Sequence, residues 1–118
     1  MGRRVDRLNT LLQEEISALL RQVKDPRLAG LVTVTRVEVS ADLAHARVLV
    51  SVLGTPQQKE STQQALTSAA GFLRRELGHR LTLRRVPALH FQVDTALEEA
   101  GRVLDLLHRL DTQPGESP

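Results

Sequence analysis

Apolar residues near the N-terminus recur at spacings of three and four, the period of one face of an α-helix. The pattern covers residues 4–23. It predicts a first helix with a continuous apolar stripe, roughly 30 Å long at the helical rise per residue. Asp25-Pro26 predicts where this helix ends, because the residue before a proline avoids helical geometry.

Two segments rich in β-branched residues follow, over residues 31–40 and 45–53. Apolar and polar positions alternate regularly in the second segment, as in a half-buried strand. In the first segment the alternation slips, which predicts a β-bulge or strong twist near Thr35-Arg36. The short link between the two segments predicts an antiparallel hairpin.

The helical period returns over residues 57–79 and predicts a second helix, interrupted by Gly71. A glycine inside a helix costs about 1 kcal/mol relative to alanine, so we expect a kink there. A third strand is expected after Pro87. Its inward-facing residues would be Leu89, Phe91 and Val93.

A capping box at Thr95–Glu98 predicts a last helix that ends near Leu110. Its apolar face would hold Leu97, Val103, Leu104, Leu107 and Leu110. We expect one α+β domain over residues 1–111 and a disordered tail over residues 112–118. The order, αββ-(kinked α)-βα, is that of type II KH domains and predicts a three-stranded sheet with helices packed on one face.

Charge is unevenly distributed along the chain. The net charge is only +2, but residues 1–93 hold 14 basic and 8 acidic residues, a net charge of +6. Residues 71–86 are the most basic segment, with Glu76 as the only acid against five arginines, and His79 lies among them. The arginines are Arg74, Arg75, Arg80, Arg84 and Arg85. Such clustering indicates a polyanionic partner, although a solvated basic face remains an alternative for any one of them.

Two further groups of residues are candidates for RNA contact. Arg3, Arg4 and Arg7 begin the first helix, where positive charge opposes the helix dipole. Binding and a frayed terminus both remain open for them. Small side chains at Ala69, Ala70 and Gly71 would let a nucleic-acid backbone come close, although a helix C-cap at Gly71 would look the same in the sequence.

Several classes of protein are disfavoured. The chain has no cysteine, its four histidines lack metal-ligand spacing, and no nucleophile elbow or phosphate loop is present. We therefore expect no catalytic residue, no metal site and no cofactor. Two aromatic residues are too few for stacking several bases on rings. No apolar run approaches the roughly 20 residues of a membrane helix, so a cytoplasmic protein is expected.

Four segments together resemble the bacterial ribosome-binding factor A family. They are Asp25-Pro26-Arg27-Leu28, the hairpin from Val37 to Val48, Ala69-Ala70-Gly71 with Leu73-Arg74-Arg75-Glu76-Leu77, and the stretch from Leu83 to Asp94. The chain departs from ordinary KH domains, because no Gly-x-x-Gly loop lies near residues 65–80. In this family an Ala-x-Gly kink stands in its place.

The resemblance implies a monomeric assembly factor for the small ribosomal subunit. Such a factor contacts 16S rRNA near the decoding region and the 5′ end and supports late 5′-end processing without cutting RNA. The family is also associated with cold adaptation. One alternative is a protein–protein adaptor, whose acidic last helix (residues 95–110) recruits a ribosome-assembly GTPase. Another is a hydrolase or nuclease of unfamiliar arrangement.

Overall fold

The computed structural model describes residues 2–28, 31–94 and 103–110. A short 3-10 turn, Pro26–Leu28, separates the first helix from the first strand. In chain order the main elements are α1 (Gly2–Leu20), β1 (Leu31–Val39), β2 (His45–Leu53), α2 (Pro56–Arg80), β3 (Ala88–Val93) and a helical segment, α3, at residues 103–110.

The strands form one mixed sheet in the order β1-β2-β3. β1 pairs with β2 in antiparallel orientation, whereas β3 runs parallel to β2, with α2 as the crossover between them. Val34 pairs with Val50 and Arg36 pairs with Leu49, so Thr35 is the extra residue of a bulge. The bulge predicted at Thr35-Arg36 is therefore confirmed, and it lets Val34 and Val37 both face the core.

The core lies between the sheet and the two long helices. α1 buries Leu12 and Ile16, and α2 buries Leu66, Leu73 and Leu77, all without solvent exposure. The sheet side of this core is completed by the inward residues Val34, Val37, Ala46, Val48, Val50, Leu89, Phe91 and Val93. The opposite face of the sheet is polar. The predicted α+β class and the single helical layer are confirmed.

One glutamine of α2 reaches the outer edge of the sheet. The Gln63 side chain donates from Nε2 to the Phe91 carbonyl at 2.8 Å, and its Oε1 accepts from the Val93 N–H at 2.8 Å. These two backbone groups point away from β2. The next residue of the chain bonds to β2 instead, since the Asp94 N–H donates to the Val50 carbonyl. The Gln63 amide thus makes the two hydrogen bonds that one residue of a further strand would make at this edge of the sheet.

α2 is one continuous helix through Gly71. Thr55 and Gln58 form a capping box at its start, and Gly71 does not adopt positive φ. The helix continues past Gly78 to Arg80. The interruption predicted at Gly71 is therefore not a break in the helix, and no backbone N–H is freed there to bind a phosphate.

α3 is helical as predicted, but its apolar side chains are exposed. The described residues Val103, Leu104, Leu106, Leu107 and Leu110 are 55–66% exposed. The apolar face expected from their spacing is therefore not covered by the other elements that the structure describes. The capping box at Thr95–Glu98 and the tail at 112–118 lie outside the described residues.

Candidate nucleic-acid interface

A cleft of about 490 Å³ lies between α1, the β1–β2 loop and the loop from α2 to β3. Its rim carries four arginines. Arg4 and Arg7 come from α1, and Arg84 and Arg85 come from the loop between α2 and β3. All four side chains are exposed. Two basic groups that are far apart in sequence thus meet at one opening, which we call the arginine cleft.

The periodicity of α1 builds one wall of the arginine cleft. Arg4, Arg7, Leu8 and Leu11 follow spacings of three and four, so they form one stripe along the helix. A neighbouring stripe, with Leu12 as a fully buried member, packs into the core. The helix therefore presents two cations and two leucines together. Leu8 and Leu11 form the floor with Leu43 and Leu83.

The β1–β2 loop supplies an acid and a strained leucine to the same cleft. Leu43 has φ of 62°, a left-handed conformation that is uncommon for a non-glycine residue. Asp42 Oδ1 accepts hydrogen bonds from the Ser40 hydroxyl at 2.6 Å and the Ala44 N–H at 3.1 Å. These bonds hold the pKa of the Asp42 carboxyl below its usual value, so it is a fixed negative charge at the cleft.

Two arginines of the predicted cluster are engaged within the domain. Arg74 Nε donates to the Val86 carbonyl at 3.1 Å, which ties α2 to the loop before β3. Arg80 lies 3.5 Å from the Glu15 carboxylate and donates to Gln22 Oε1 at 3.2 Å, so it joins α2 to α1. Arg74 and Arg80 are therefore bonded to neighbouring segments of the domain, whereas Arg84 and Arg85 line the arginine cleft.

The remaining candidates lie on α2 and at the start of α1. Gly71, Phe72, Arg75 and His79 form an exposed stripe on α2, which we call the outer stripe. An added Cβ at Gly71 would meet no atom within 4 Å, so this surface is open. Ala69 and Ala70 are instead half-buried and pack against the core, so they belong to the inner side of the helix. Arg3 lies in the first turn of α1, and its side chain is outside what the structure describes.

Sequence reasoning did not single out Asp42, Leu43 or the leucine floor. A partial signal was present, since Leu8 and Leu11 share a helical stripe with Arg4 and Arg7. Over the described ranges, no group of three or more acidic, histidine or cysteine side chains could hold a metal ion. No helix within those ranges is long and apolar enough to cross a bilayer.

A mixed sheet with one helical layer, bordered by a cleft rimmed with arginines, defines a small KH-like domain of the nucleic-acid-binding class. The comparison with protein families is more specific. The model of the family "Ribosome-binding factor A" matches residues 4–107. The chain belongs to that family.

Individual relatives agree with this assignment. A ribosome-binding factor A from Synechocystis sp. is 49% identical over 111 residues, which cover 92% of this chain and 84% of the relative. The crystal structure of ribosome-binding factor A from Thermus thermophilus superposes with a TM-score of 0.70 at 29% identity, covering 78% of this chain and 97% of that one. A homology model of the Thermus thermophilus factor, fitted into a cryo-EM map of a 30S complex, matches with a TM-score of 0.63 at 30% identity, covering 74% and 91%.

Proposed function

We propose that this protein is a non-catalytic assembly factor that binds the maturing small ribosomal subunit. It contacts 16S rRNA near the decoding region and the 5′ end and promotes late maturation, including 5′-end processing. The observation that carries the proposal is the convergence of Arg4 and Arg7 with Arg84 and Arg85 at one cleft, in a member of this family. The small subunit as partner is supported by the relative fitted into a map of its 30S complex.

The proposed mechanism is recognition of RNA shape and charge. Guanidinium groups pair with phosphate oxygens in a forked geometry and release the counterions that surround the RNA. These contacts position the domain and carry no sequence information. The bound domain holds an immature RNA arrangement until other factors complete the processing.

Binding to purified small-subunit precursors should therefore weaken steeply with salt. The slope of log affinity against log salt concentration should be about −0.7 to −0.9 for each phosphate neutralised. Affinity measured over a range of roughly 50 to 300 mM salt tests this. An affinity that is flat across that range contradicts the proposal.

The proposed role in maturation needs a cellular measurement. Depletion of the protein should accumulate 16S rRNA precursors with unprocessed 5′ ends, which primer extension detects. Wild-type protein should restore processing, whereas Arg84→Glu/Arg85→Glu should not. Restoration by the double variant at equal protein level would show that the arginine cleft is not required.

A second candidate function, a protein–protein adaptor, is favoured by the exposed apolar side chains of α3. Its partner would be a ribosome-assembly GTPase. A pull-down with purified GTPase, with and without ribonuclease, separates the two functions. Capture that survives ribonuclease and is lost in Leu104→Gln/Leu107→Gln would support the adaptor.

A further inference from the structure

We propose that the arginine cleft holds one unstacked nucleotide of the bound RNA, with its base on the leucine floor and its flanking phosphates on the arginine rim. This inference rests on the proposed function and names the ligand of the same site. It adds that the protein reads a bulged or extruded nucleotide, which phosphate binding alone does not require.

The shape of the arginine cleft fits a nucleotide. Its volume of about 490 Å³ falls within the roughly 300–1,000 Å³ of small-molecule sites, so a base and its sugar can enter. A surface that only follows phosphates needs cations and no recess. Here the recess is present, and its walls come from three separate elements, α1 and two loops.

The leucine floor is apolar and only partly buried. Leu8, Leu43 and Leu83 are only partly buried, and Leu11 is 37% exposed. Apolar carbon is thus left in contact with water in the middle of a charged patch. A nucleobase has two apolar faces and would cover this carbon, and a neighbouring guanidinium can stack on the other face.

The backbone of Leu43 has a positive φ. Its left-handed conformation is unfavourable for a leucine and persists only where surrounding bonds impose it. Those bonds come from Asp42, which accepts from Ser40 and Ala44, and from the Leu43 N–H, which donates to the Ser40 carbonyl at 2.9 Å. The loop is therefore fixed before RNA arrives, with a leucine and a carboxylate at the cleft.

Asp42 gives the site a preference among bases. A fixed carboxylate repels phosphates, but it accepts hydrogen bonds from the amino groups of bases. Uracil has no amino group, and its one donor on the base-pairing edge, N3–H, lies between two carbonyl oxygens that repel a carboxylate. Adenine, cytosine and guanine should therefore be favoured over uracil in the cleft.

The test compares three RNA duplexes of equal length in fluorescence anisotropy at fixed salt. One is fully paired, one carries a single bulged adenosine, and one carries an abasic bulge at the same position. The bulged adenosine should bind about tenfold more tightly than the other two, the size expected for stacking one base. Equal affinity for the abasic and adenosine bulges would overturn the inference, because the base would then contribute nothing.

Variants of the floor separate this inference from the proposed function. Leu11→Gln/Leu83→Gln should remove the preference for the bulged adenosine over the abasic bulge, whereas Leu53→Gln should keep that preference, the duplex affinity and the salt slope. Leu53→Gln is the matched control, since Leu53 is 76% exposed at the end of β2 and outside the cleft. If the floor variant keeps the preference, the inference is wrong and the salt-dependent binding stands. If no RNA or subunit binds at all, the proposed function fails.

Two further arms identify the ligand. A bulged uridine should bind more weakly than a bulged adenosine, and Asp42→Asn should reduce that difference. Free adenosine 5′-monophosphate at millimolar concentration should not displace the bulged RNA. Displacement at micromolar concentration would overturn the RNA assignment in favour of a free-nucleotide site.

Discussion

The arginine cleft and the outer stripe of α2 both expose arginine side chains, but they are built in different ways. The outer stripe comes from one helix, and its members are neighbours in sequence. The arginine cleft joins the first helix to a loop far along the chain, and it adds a recess and a floor. Residues that are close in sequence form the exposed outer stripe. The recess of the arginine cleft forms only where tertiary packing brings distant segments together.

The largest expected effect is charge reversal in the arginine cleft. Arg84→Glu/Arg85→Glu should lower affinity for small-subunit precursors about 30–100-fold and make the salt slope shallower by about one unit for each phosphate that is no longer neutralised. Both side chains are exposed, so the fold should be retained. Arg21→Glu, an exposed reversal outside the cleft, is the control and should change affinity little.

Charge reversal on the outer stripe should have a smaller effect. Arg75→Glu should lower affinity about threefold, because this surface offers long-range attraction without a recess. Sedimentation of the variant with precursor subunits measures the difference. A decrease as large as that of the double cleft variant would mean that α2 faces the RNA directly.

The Gly71→Ala variant tests whether the outer stripe requires a glycine. The helix is continuous there and the added methyl meets open space, so the free energy of unfolding should rise by about 0.5–1 kcal/mol. Affinity for RNA should stay within about twofold of wild type. A more stable protein with much weaker affinity would show that an RNA backbone lies against Gly71.

Gly54→Ala is the contrasting glycine variant. A Cβ at Gly54 would lie 2.5 Å from Gln58 Oε1, which accepts the Thr55 N–H in the capping box of α2. Displacing Gln58 should remove that bond and lower stability. In urea unfolding, the free energy of unfolding should rise for Gly71→Ala and fall for Gly54→Ala relative to wild type.

The smallest expected effect is the loss of stability at acidic pH. The pKa values of Asp25 and Asp42 are lowered in the folded protein, first by side-chain hydrogen bonds from Arg27 and Ser40 respectively. A lowered pKa contributes stability above the unfolded-state value of about 3.9, and this contribution is lost as pH falls through the folded-state value. At neutral pH, the wild type should therefore have a higher free energy of unfolding in urea than Asp42→Asn. This difference should disappear once the pH is well below the folded-state pKa of the Asp42 carboxyl. Amide protection factors, taken relative to the intrinsic exchange rate at each pH, should fall with acid in residues 42–44 and not in residues 71–75.

Local patterns predicted most of the fold. The slip in alternation at Thr35 located the bulge, and the alternation in β2 and β3 assigned their buried faces correctly. Gly71 was harder to interpret, because its cost of about 1 kcal/mol is smaller than the gain from burying Leu66 and Leu73, one on each side of it. The core therefore keeps the helix continuous.

The arginine cleft could be predicted only in part. Both of its basic groups were visible in the sequence, but no period relates Arg7 to Arg84, and only the packed fold brings them together. Arg74 and Arg80 are equivalent to Arg84 in the sequence pattern, and only their bonds to Val86 and Glu15 set them apart. The exposed leucines of α3 show the same limit, since a helical pattern predicts an apolar face and does not say what covers it.

The Gln63 side chain has a consequence for the behaviour of the protein in a crowded cell. An open strand edge is a template on which other chains can add a strand, and it favours domain swapping and fibril growth. With its amide on Phe91 and Val93, Gln63 occupies part of the β3 edge before any other polypeptide arrives. This part of the β3 edge is thereby closed to strand addition by unfolded segments nearby.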